Sequence, residues 1–429
     1  MRDYTFYMFF VWAVAMLLAV WAARVAQRFG MRVPRLPAAE IDASARPKVA
    51  VILPIKGVDD DTTANLEALL TQDYAYYRLI FAVESENDPV VPVLEKLATE
   101  DSRIEIVVAG IATERGQKIQ NQLAAVERTT EKDEVLAFMD ADARPKPNWL
   151  TALVAPLTWR NNMKIALSTG YRYYIPVTGH MANKIVSIIN AQVAALFGPY
   201  RRTFAWGGSM AIWRGEFLEI GLPKVWSNAV SDDYVMSHAI KRVAGKRIHF
   251  VPQCIVASDA NFNWGTFFEF AVRQYRITKI CEPLIWLTAV GGATLYLAAF
   301  LYTLWRAVLG FIQPELVPDH TNQTLMFSFL YMASIFRGYM LVLGGRRLLP
   351  EHDGEIKSAL FWATIGFPWT MFIHWMVLIG SAFGREIVWR GVEYIMHSRV
   401  RTTVRRPHVS GAGSGAGHET RRDRESVQR

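Results

Sequence analysis

Apolar positions fall along this chain in two patterns: long uninterrupted runs near its ends and short runs, broken by charge, in its middle. Residues 4–23 (YTFYMFFVWAVAMLLAVWAA) carry no acid or base and match the ~20 residues that cross a bilayer as a helix. Three further runs, 283–305, 324–345 and 359–383, are similarly apolar, with Arg337 as a charge inside the second, whereas charge is frequent from 24 to 282. The pattern predicts a soluble domain between one membrane helix and about three. A cleaved signal peptide would have a shorter apolar core and a small-residue cleavage site, so residues 4–23 read as an anchor. Arg24, Arg28, Arg32 and Arg35 follow it, which by the positive-inside rule sets residues 24–282 in the cytoplasm. Four crossings would then leave the Arg-rich C-terminus outside, against the same rule, unless one C-terminal segment is re-entrant.

In the soluble part, residues 48–54 (KVAVILP), 79–83, 104–109 and 134–139 read as buried strands. Helical periodicity fills the gaps at 63–71, 90–99 and 118–127. Alternating strands and helices predict an α/β fold with a parallel sheet covered on both faces. No Gly-x-Gly-x-x-Gly follows the first strand and no Gly-Lys-Ser/Thr phosphate loop occurs, which argues against a dinucleotide oxidoreductase and a P-loop NTPase.

The fourth strand runs into Asp140-Ala141-Asp142. Ligands of open α/β sheets bind at the carboxyl ends of strands. Residues i and i+2 of an extended segment point to one side, so the two carboxylates repel unless a cation lies between them. Mg²⁺ or Mn²⁺, shared with a diphosphate, suits such a pair; a turn or helix cap is the plainer reading. Residues 180–197 and 264–280 have apolar stripes at helical spacing, readable as core-facing helices or as helices lying on a membrane surface. The second runs into a membrane segment and would hold Arg273 and Arg276 above the bilayer, two guanidiniums suited to a diphosphate. Ser231-Asp232-Asp233-Tyr234 opens a helix expected over 232–244, either as a cap with acids at the positive helix end or as the source of a general base. Lys118 and Asn121 are surface residues or nucleotide contacts on spacing alone.

Composition adds limits. Of 429 residues 52% are hydrophobic, an excess that the four long runs account for. The net charge of +8 lies largely beside these runs and in the tail, which fits anionic lipid headgroups and gives no sign of nucleic-acid binding. Cys254 and Cys281 lack metal-type spacing and read as buried thiols in a reducing compartment. Residues 410–417 (SGAGSGAG) read as flexible linker and 418–429 as a disordered end.

These motifs, in this order, resemble those of the membrane-bound family 2/21 glycosyltransferases, and among them the ceramide glucosyltransferase group, over about 48–396. The resemblance begins at Pro54-Ile55-Lys56-Gly57-Val58-Asp59 and continues through Glu86-Asn87-Asp88-Pro89, Lys118-Ile119-Gln120-Asn121 and Asp140/Asp142. It extends through Gly207-Gly208-Ser209, Asp232-Asp233-Tyr234, Arg273-Gln274-Tyr275-Arg276 and Trp389-Arg390-Gly391-Val392-Glu393-Tyr394. Ile277 departs from it, since the family has Trp there.

The resemblance implies a GT-A-like catalytic domain at 46–262, an interfacial helix at 264–281 and a membrane domain at 283–383; beyond it, residues 398–429 read by composition as a basic flexible tail. It also implies an inverting transferase that uses a nucleotide-diphosphate sugar, a UDP-sugar foremost, and a membrane lipid acceptor. Pro54, Lys56, Glu84, Glu86, Asp88, Lys118, Asp140, Arg273 and Arg276 are the implied donor contacts, and Asp140 and Asp142 the ligands of a divalent Mn²⁺ or Mg²⁺. Gly207, Gly208, Ser209 and Asp232 would lie on the acceptor side, with Asp233 as base. UDP-glucose and ceramide are the implied pair; diacylglycerol, a hopanoid or a polyprenyl phosphate are alternative acceptors. A processive polysaccharide synthase is the alternative within the superfamily, and a silent scaffold the alternative outside catalysis. A transporter fits poorly, because Arg337 is almost the only charge inside the long runs. The Cys-poor composition and the lack of an organelle-retention ending lean towards a bacterial inner membrane.

Overall fold

Val49–Pro54 forms strand β1, buried on both faces: Val49, Val51 and Leu53 enter one apolar cluster and Ala50 and Ile52 another. This is why the run reads as continuously apolar rather than alternating. The computed structural model describes residues 2–31, 46–159, 164–198 and 202–406, with side chains of the first helix from residue 9 onward. Arg32, Arg35 and the segments 410–417 and 418–429 lie outside the described residues.

Helix α1 (Arg2–Met31) precedes β1. Then come α2 (Thr62–Leu70), β2 (Tyr77–Val83), α3 (Val91–Glu100), β3 (Ile104–Val108), α4 (Gln117–Glu127) and β4 (Val135–Met139), close to the boundaries that the apolar pattern predicts. The chain continues through α5 (Trp149–Thr158), β5 (Ile165–Ile175), α6 (Met181–Leu196), β6 (Ser209–Trp213), α7 (Arg214–Glu219), α8 (Leu222–Trp226), α9 (Asp232–His238) and β7 (Arg247–Asp259). The expected helix over 232–244 is α9 followed by a π-helical turn at Ala239–Val243.

Among the described residues these strands make one sheet in the order β3-β2-β1-β4-β6-β5-β7. The first four are parallel, but β6 runs antiparallel to both β4 and β5, so the sheet is mixed rather than wholly parallel. The reversal has a local cause: β6 begins beside the end of β4, with Ser209 opposite Met139, after the Gly207-Gly208 turn. Strand order changes direction between β1 and β4, and the crevice at such a point is where α/β folds receive ligands.

Next come α10 (Trp264–Cys281), α11 (Pro283–Ile312), α12 (His320–Leu348), α13 (Asp353–Lys357), α14 (Leu360–Ala363) and α15 (Phe367–Ser381). Among the described residues, Phe9–Met31, α11 and α12 are long and apolar enough to cross a membrane. The expected span at 359–383 is instead two pieces, α14 and α15, separated at Thr364-Ile365-Gly366 with Pro368 in the first turn of α15. At 1.5 Å per residue the 15 residues of α15 reach only about 22 Å, short of a ~30 Å hydrocarbon core.

Helix α6 does not lie on an open surface. Ile188, Ala191 and Ala194 pack with Val25 of α1 and Leu341 of α12, and its polar face is turned to the α/β domain. There Asn183 accepts from the Phe262 N–H at 2.7 Å and Asn190 accepts from the Tyr174 N–H at 3.2 Å. The stripe on α10 likewise meets α6 and α15, Phe267 and Ala271 packing with Ile185, Ile373 and Val377. Finally β8 (Glu386–Trp389), β9 (Val392–Ser398) and β10 (Arg401–Arg405) form a small antiparallel sheet, so residues 398–405, expected to belong to a flexible tail, lie in an ordered sheet instead. This sheet stands on the α/β domain: the Gln117 N–H donates to the Tyr394 hydroxyl at 3.2 Å, and Arg390 pairs with Asp59 at 3.1 Å.

Candidate active site

Asp140 follows β4 directly, and its carboxylate is met by two cations. Lys118, on α4, reaches Asp140 Oδ1 at 2.7 Å and Asp232 Oδ2 at 3.0 Å. Arg172, projecting from β5, donates to Asp142 at 2.6 and 3.0 Å and lies 3.4 Å from Asp140 Oδ2. Its guanidinium carbon lies over the Trp206 ring at 5.3 Å from the centre and over that of Tyr174 at 5.6 Å, within cation–π range of both. Burial alone would lower the Lys118 ammonium's pKa, yet the Asp140 and Asp232 carboxylates more than reverse this and hold it above its ordinary value. Burial alone would raise the Asp142 carboxyl; Arg172 outweighs it and leaves the group below its usual range.

The Gly207-Gly208 turn makes this crowding possible. A Cβ on Gly207 would run into the Asp232 carboxylate, and one on Gly208 into the Trp206 ring and the Asp140 carboxylate. Ser209 is different: its hydroxyl accepts from the buried Trp149 Nε1–H at 2.8 Å, so it braces the core rather than facing an acceptor.

At the start of α9, Ser231 is the cap, accepting from the Tyr234 N–H, and the capping reading thus belongs to Ser231. Asp232 points back to Lys118 and to the Gln122 amide at 2.9 Å. Asp233 lines the central cavity, its Oδ1 accepting from the Ser231 hydroxyl at 2.5 Å and the Tyr234 N–H at 2.7 Å. Burial, with the Asp232 charge beside it, pushes the Asp233 carboxyl up to about 6.

The other implied donor residues divide. Pro54, Lys56, Lys118, Asn121 and Arg273 line the cavity. Glu84 is a brace, paired with Lys56 at 2.8 Å and with Arg406 from just beyond β10. Asp88 accepts from the N–H groups of Gly57 at 2.8 Å and Val90 at 3.0 Å, shaping the loop after β1. Glu86 is exposed and outside the cavity lining. Arg276 also lies outside that lining: its guanidinium donates to the Glu386 carbonyl at 2.5 Å, while Arg273 donates to that of Val388 at 3.0 Å. Both arginines thereby pin β8, next to Trp389 and Arg390, which do line the cavity. Ile277, in place of the family's Trp, packs with Val230, Ile387 and Tyr394.

One cavity of about 1730 Å³ joins these parts. It runs from Pro54 and Lys56 past Asp140, Asp142 and Asp233 to Leu284, Thr288, Gly292 and Tyr296 on α11. The Asp140/Asp142 pair fits a hard divalent ion. Both carboxylates already converge on one positive group, Arg172, and both offer oxygen. No cluster of three or more His, Cys, Asp or Glu occurs among the described residues, so further ligands would come from diphosphate and water.

Residues 6–402 match the family described as glycosyl transferase family 21. The chain belongs to that family. Similar curated relatives of this family 21 glycosyltransferase include ceramide glucosyltransferases of Komagataella phaffii, 34% identical over 91 residues, and Candida albicans, 41% identical over 51 residues. These matches cover 20% and 11% of this chain and only 16% and 9% of those relatives. Among solved structures, the mannosyltransferase PcManGT from Pyrobaculum calidifontis, in complex with GDP-Man and Mn²⁺, is 15% identical with a TM-score of 0.45 and covers 87% of this chain and 97% of its own. The glucosyl-3-phosphoglycerate synthase of Mycobacterium tuberculosis, with Mn²⁺, UDP and phosphoglyceric acid, is 14% identical with a TM-score of 0.36, covering 58% and 84%.

Proposed function

We propose that this family 21 glycosyltransferase moves a sugar from a nucleoside-diphosphate sugar, UDP-glucose foremost, to the hydroxyl of a membrane lipid of ceramide type, inverting the anomeric centre. The observation that carries this reading is the continuous cavity, which joins the paired carboxylates at the end of β4 to the apolar helix α11 by way of Asp233. A nucleotide reaches the first part from water, and a lipid reaches the second from the bilayer.

In this reading the acceptor oxygen bonds to the anomeric carbon as the bond from that carbon to the diphosphate oxygen breaks. The diphosphate leaves with the electron pair, and Asp233 takes the hydroxyl proton. An Asp with a pKa near 6 is ionised at neutral pH yet basic enough to accept that proton. Lys118 and Arg172 hold Asp140 and Asp142 in place, and Arg273 sets a positive charge on the cavity wall for the departing diphosphate. A divalent ion bound at Asp140 and Asp142 would supply charge neutralisation to the same leaving group.

The topology supports a cytoplasmic site. Three crossings, by α1, α11 and α12, bring the chain back to the side of the catalytic domain, where β8–β10 stand. Arg24 and Arg28 after the first span and the Arg-rich strand β10 then share one side, as the positive-inside rule asks.

Asp233→Asn is expected to abolish transfer while the affinity for UDP in the presence of Mn²⁺, read by calorimetry, changes by no more than a few fold. Loss of nucleotide binding in that variant would make Asp233 a ligand rather than the base.

A further inference from the structure

Beyond Asp233 the cavity continues between helices whose composition predicts a plain hydrocarbon lining. Its wall there nevertheless includes Tyr275 of α10, Tyr296 of α11, Ser334 and Arg337 of α12 and His374 of α15. No Asp or Glu occurs anywhere in α11, α12 or α15. Arg337 makes no ion pair among the described residues; its guanidinium carbon lies 5.3 Å from the centre of the Phe367 ring. A cation–π contact offsets part of the cost of withdrawing a guanidinium from water, but it offers no oxygen for the N–H groups. An ionisable side chain kept at membrane depth marks a functional site by default.

His374 supplies the second observation. It is 9% exposed, and its Nε2 lies 2.6 Å from the Tyr275 hydroxyl. Its Nδ1 is buried with no hydrogen-bond partner. In either tautomer the neutral Tyr275–His374 pair carries two protons and shares one, so a second, on Nδ1 or on the tyrosine oxygen, has no acceptor. Tyr296 and Ser334 are closed on themselves, since the Ser334 hydroxyl donates to the Leu330 carbonyl at 2.8 Å and accepts from Tyr296 at 2.6 Å, so among the described residues Arg337 and the Tyr275–His374 pair are the donors left without an acceptor. The chamber therefore holds an excess of donors. What would satisfy it is a compact oxygen acceptor that arrives with a ligand.

We propose that this chamber seats a carbonyl or phosphoryl oxygen carried on the acceptor lipid's own polar group, so that Arg337 and His374 select lipids with such an oxygen near the reacting hydroxyl. The inference rests on the lipid-transferase reading and names the recognition element of its acceptor. Arg337 and His374 act here as specificity-determining residues; the transferred proton does not pass through them.

The test uses the full-length protein in dodecyl maltoside and reads lipid binding by native mass spectrometry, without sugar donor. The probes are a short-chain ceramide (amide carbonyl), phosphatidylglycerol (phosphoryl and ester carbonyl oxygens) and 1-O-hexadecylglycerol, which has hydroxyls and only an ether oxygen. The wild-type protein is expected to hold at least one of the first two about tenfold or more tightly than the ether lipid. Preference for ceramide alone would identify the amide carbonyl as the source, and preference for phosphatidylglycerol alone its phosphodiester headgroup. Arg337→Gln should lose that preference while still binding the ether lipid, and His374→Leu should reduce it several fold. The His374 variant carries the test alone if Arg337→Gln does not fold. Equal binding of all three lipids by the wild-type protein, or a preference unchanged in the variants, would overturn the proposal. Because binding is read without turnover, an oxygen-dependent preference in a protein that transfers no sugar would sustain the subsite and remove the transferase reading. Transfer with no dependence on Arg337 or His374 would do the reverse.

Discussion

Asp233 owes its proposed role to its surroundings. Burial and the neighbouring Asp232 charge raise its carboxyl to about 6, while the Ser231 hydroxyl and Tyr234 N–H stabilise the ionised form. Below that value the group is neutral and cannot take a proton; above it the carboxylate is ready. The kcat for transfer should therefore rise as pH increases through about 6 and then level, and a pH–rate profile with saturating substrates checks this. A flat profile between pH 5 and 8 would remove Asp233 from the proton transfer. Asp140, Asp142 and Asp233 were legible because an acid just after a buried strand, or just inside a helix start, is visible in one dimension. Arg172 was not. It lies within a strand flanked by Tyr171 and Tyr173, and only folding β5 beside the end of β4 brings it to the paired carboxylates. Ser209 misled in the opposite way, since its partner Trp149 is 60 residues distant in the chain.

At the level of elements, the strands and helices from β1 to β4 could be read because each is long, buried and bounded by turn residues. The antiparallel β6 could not, as nothing in its five residues records the direction of its neighbours. The run at 359–383 reads as one span by hydropathy, but the Gly366-Phe367-Pro368 sequence ends one helix and begins another. The β8–β10 sheet changes the meaning of the two arginines on α10. Arg276 holds β8 from outside the cavity, whereas Arg273 both holds β8 and lines the cavity. Arg276→Ala should raise the donor KM several fold with kcat nearly unchanged, because a charged hydrogen bond of about 1.5–3 kcal/mol that supports one wall is lost. Arg273→Ala should lower kcat as well. Steady-state kinetics separate the two; equal losses of kcat in both variants would return Arg276 to direct contact with the diphosphate.

The whole molecule places catalytic domain, broken helix α15 and C-terminal sheet around one cavity, and this arrangement bears on its orientation. Hydropathy alone suggests four crossings and sets the two Arg-rich regions on opposite sides. With α15 too short to span, the three crossings proposed above would reunite them, and β8–β10 dock beside β1 and α4 through the contacts of Tyr394 and Arg390. In sealed vesicles, single cysteines at Glu131 and Ser398 should be labelled from one side and a cysteine at Gln313, between α11 and α12, from the other. Labelling of Ser398→Cys from the same side as Gln313→Cys would contradict this path.

Transfer of a sugar to a lipid at this cavity can be read by incubating membranes holding the protein with labelled UDP-glucose, Mn²⁺ and a panel of lipids, with Asp233→Asn membranes in parallel. Label is expected in a lipid-sized product, formed with ceramide or another hydroxyl lipid and absent from the variant. Label confined to high-mass polymer, or lipid labelling that persists in Asp233→Asn, would contradict it.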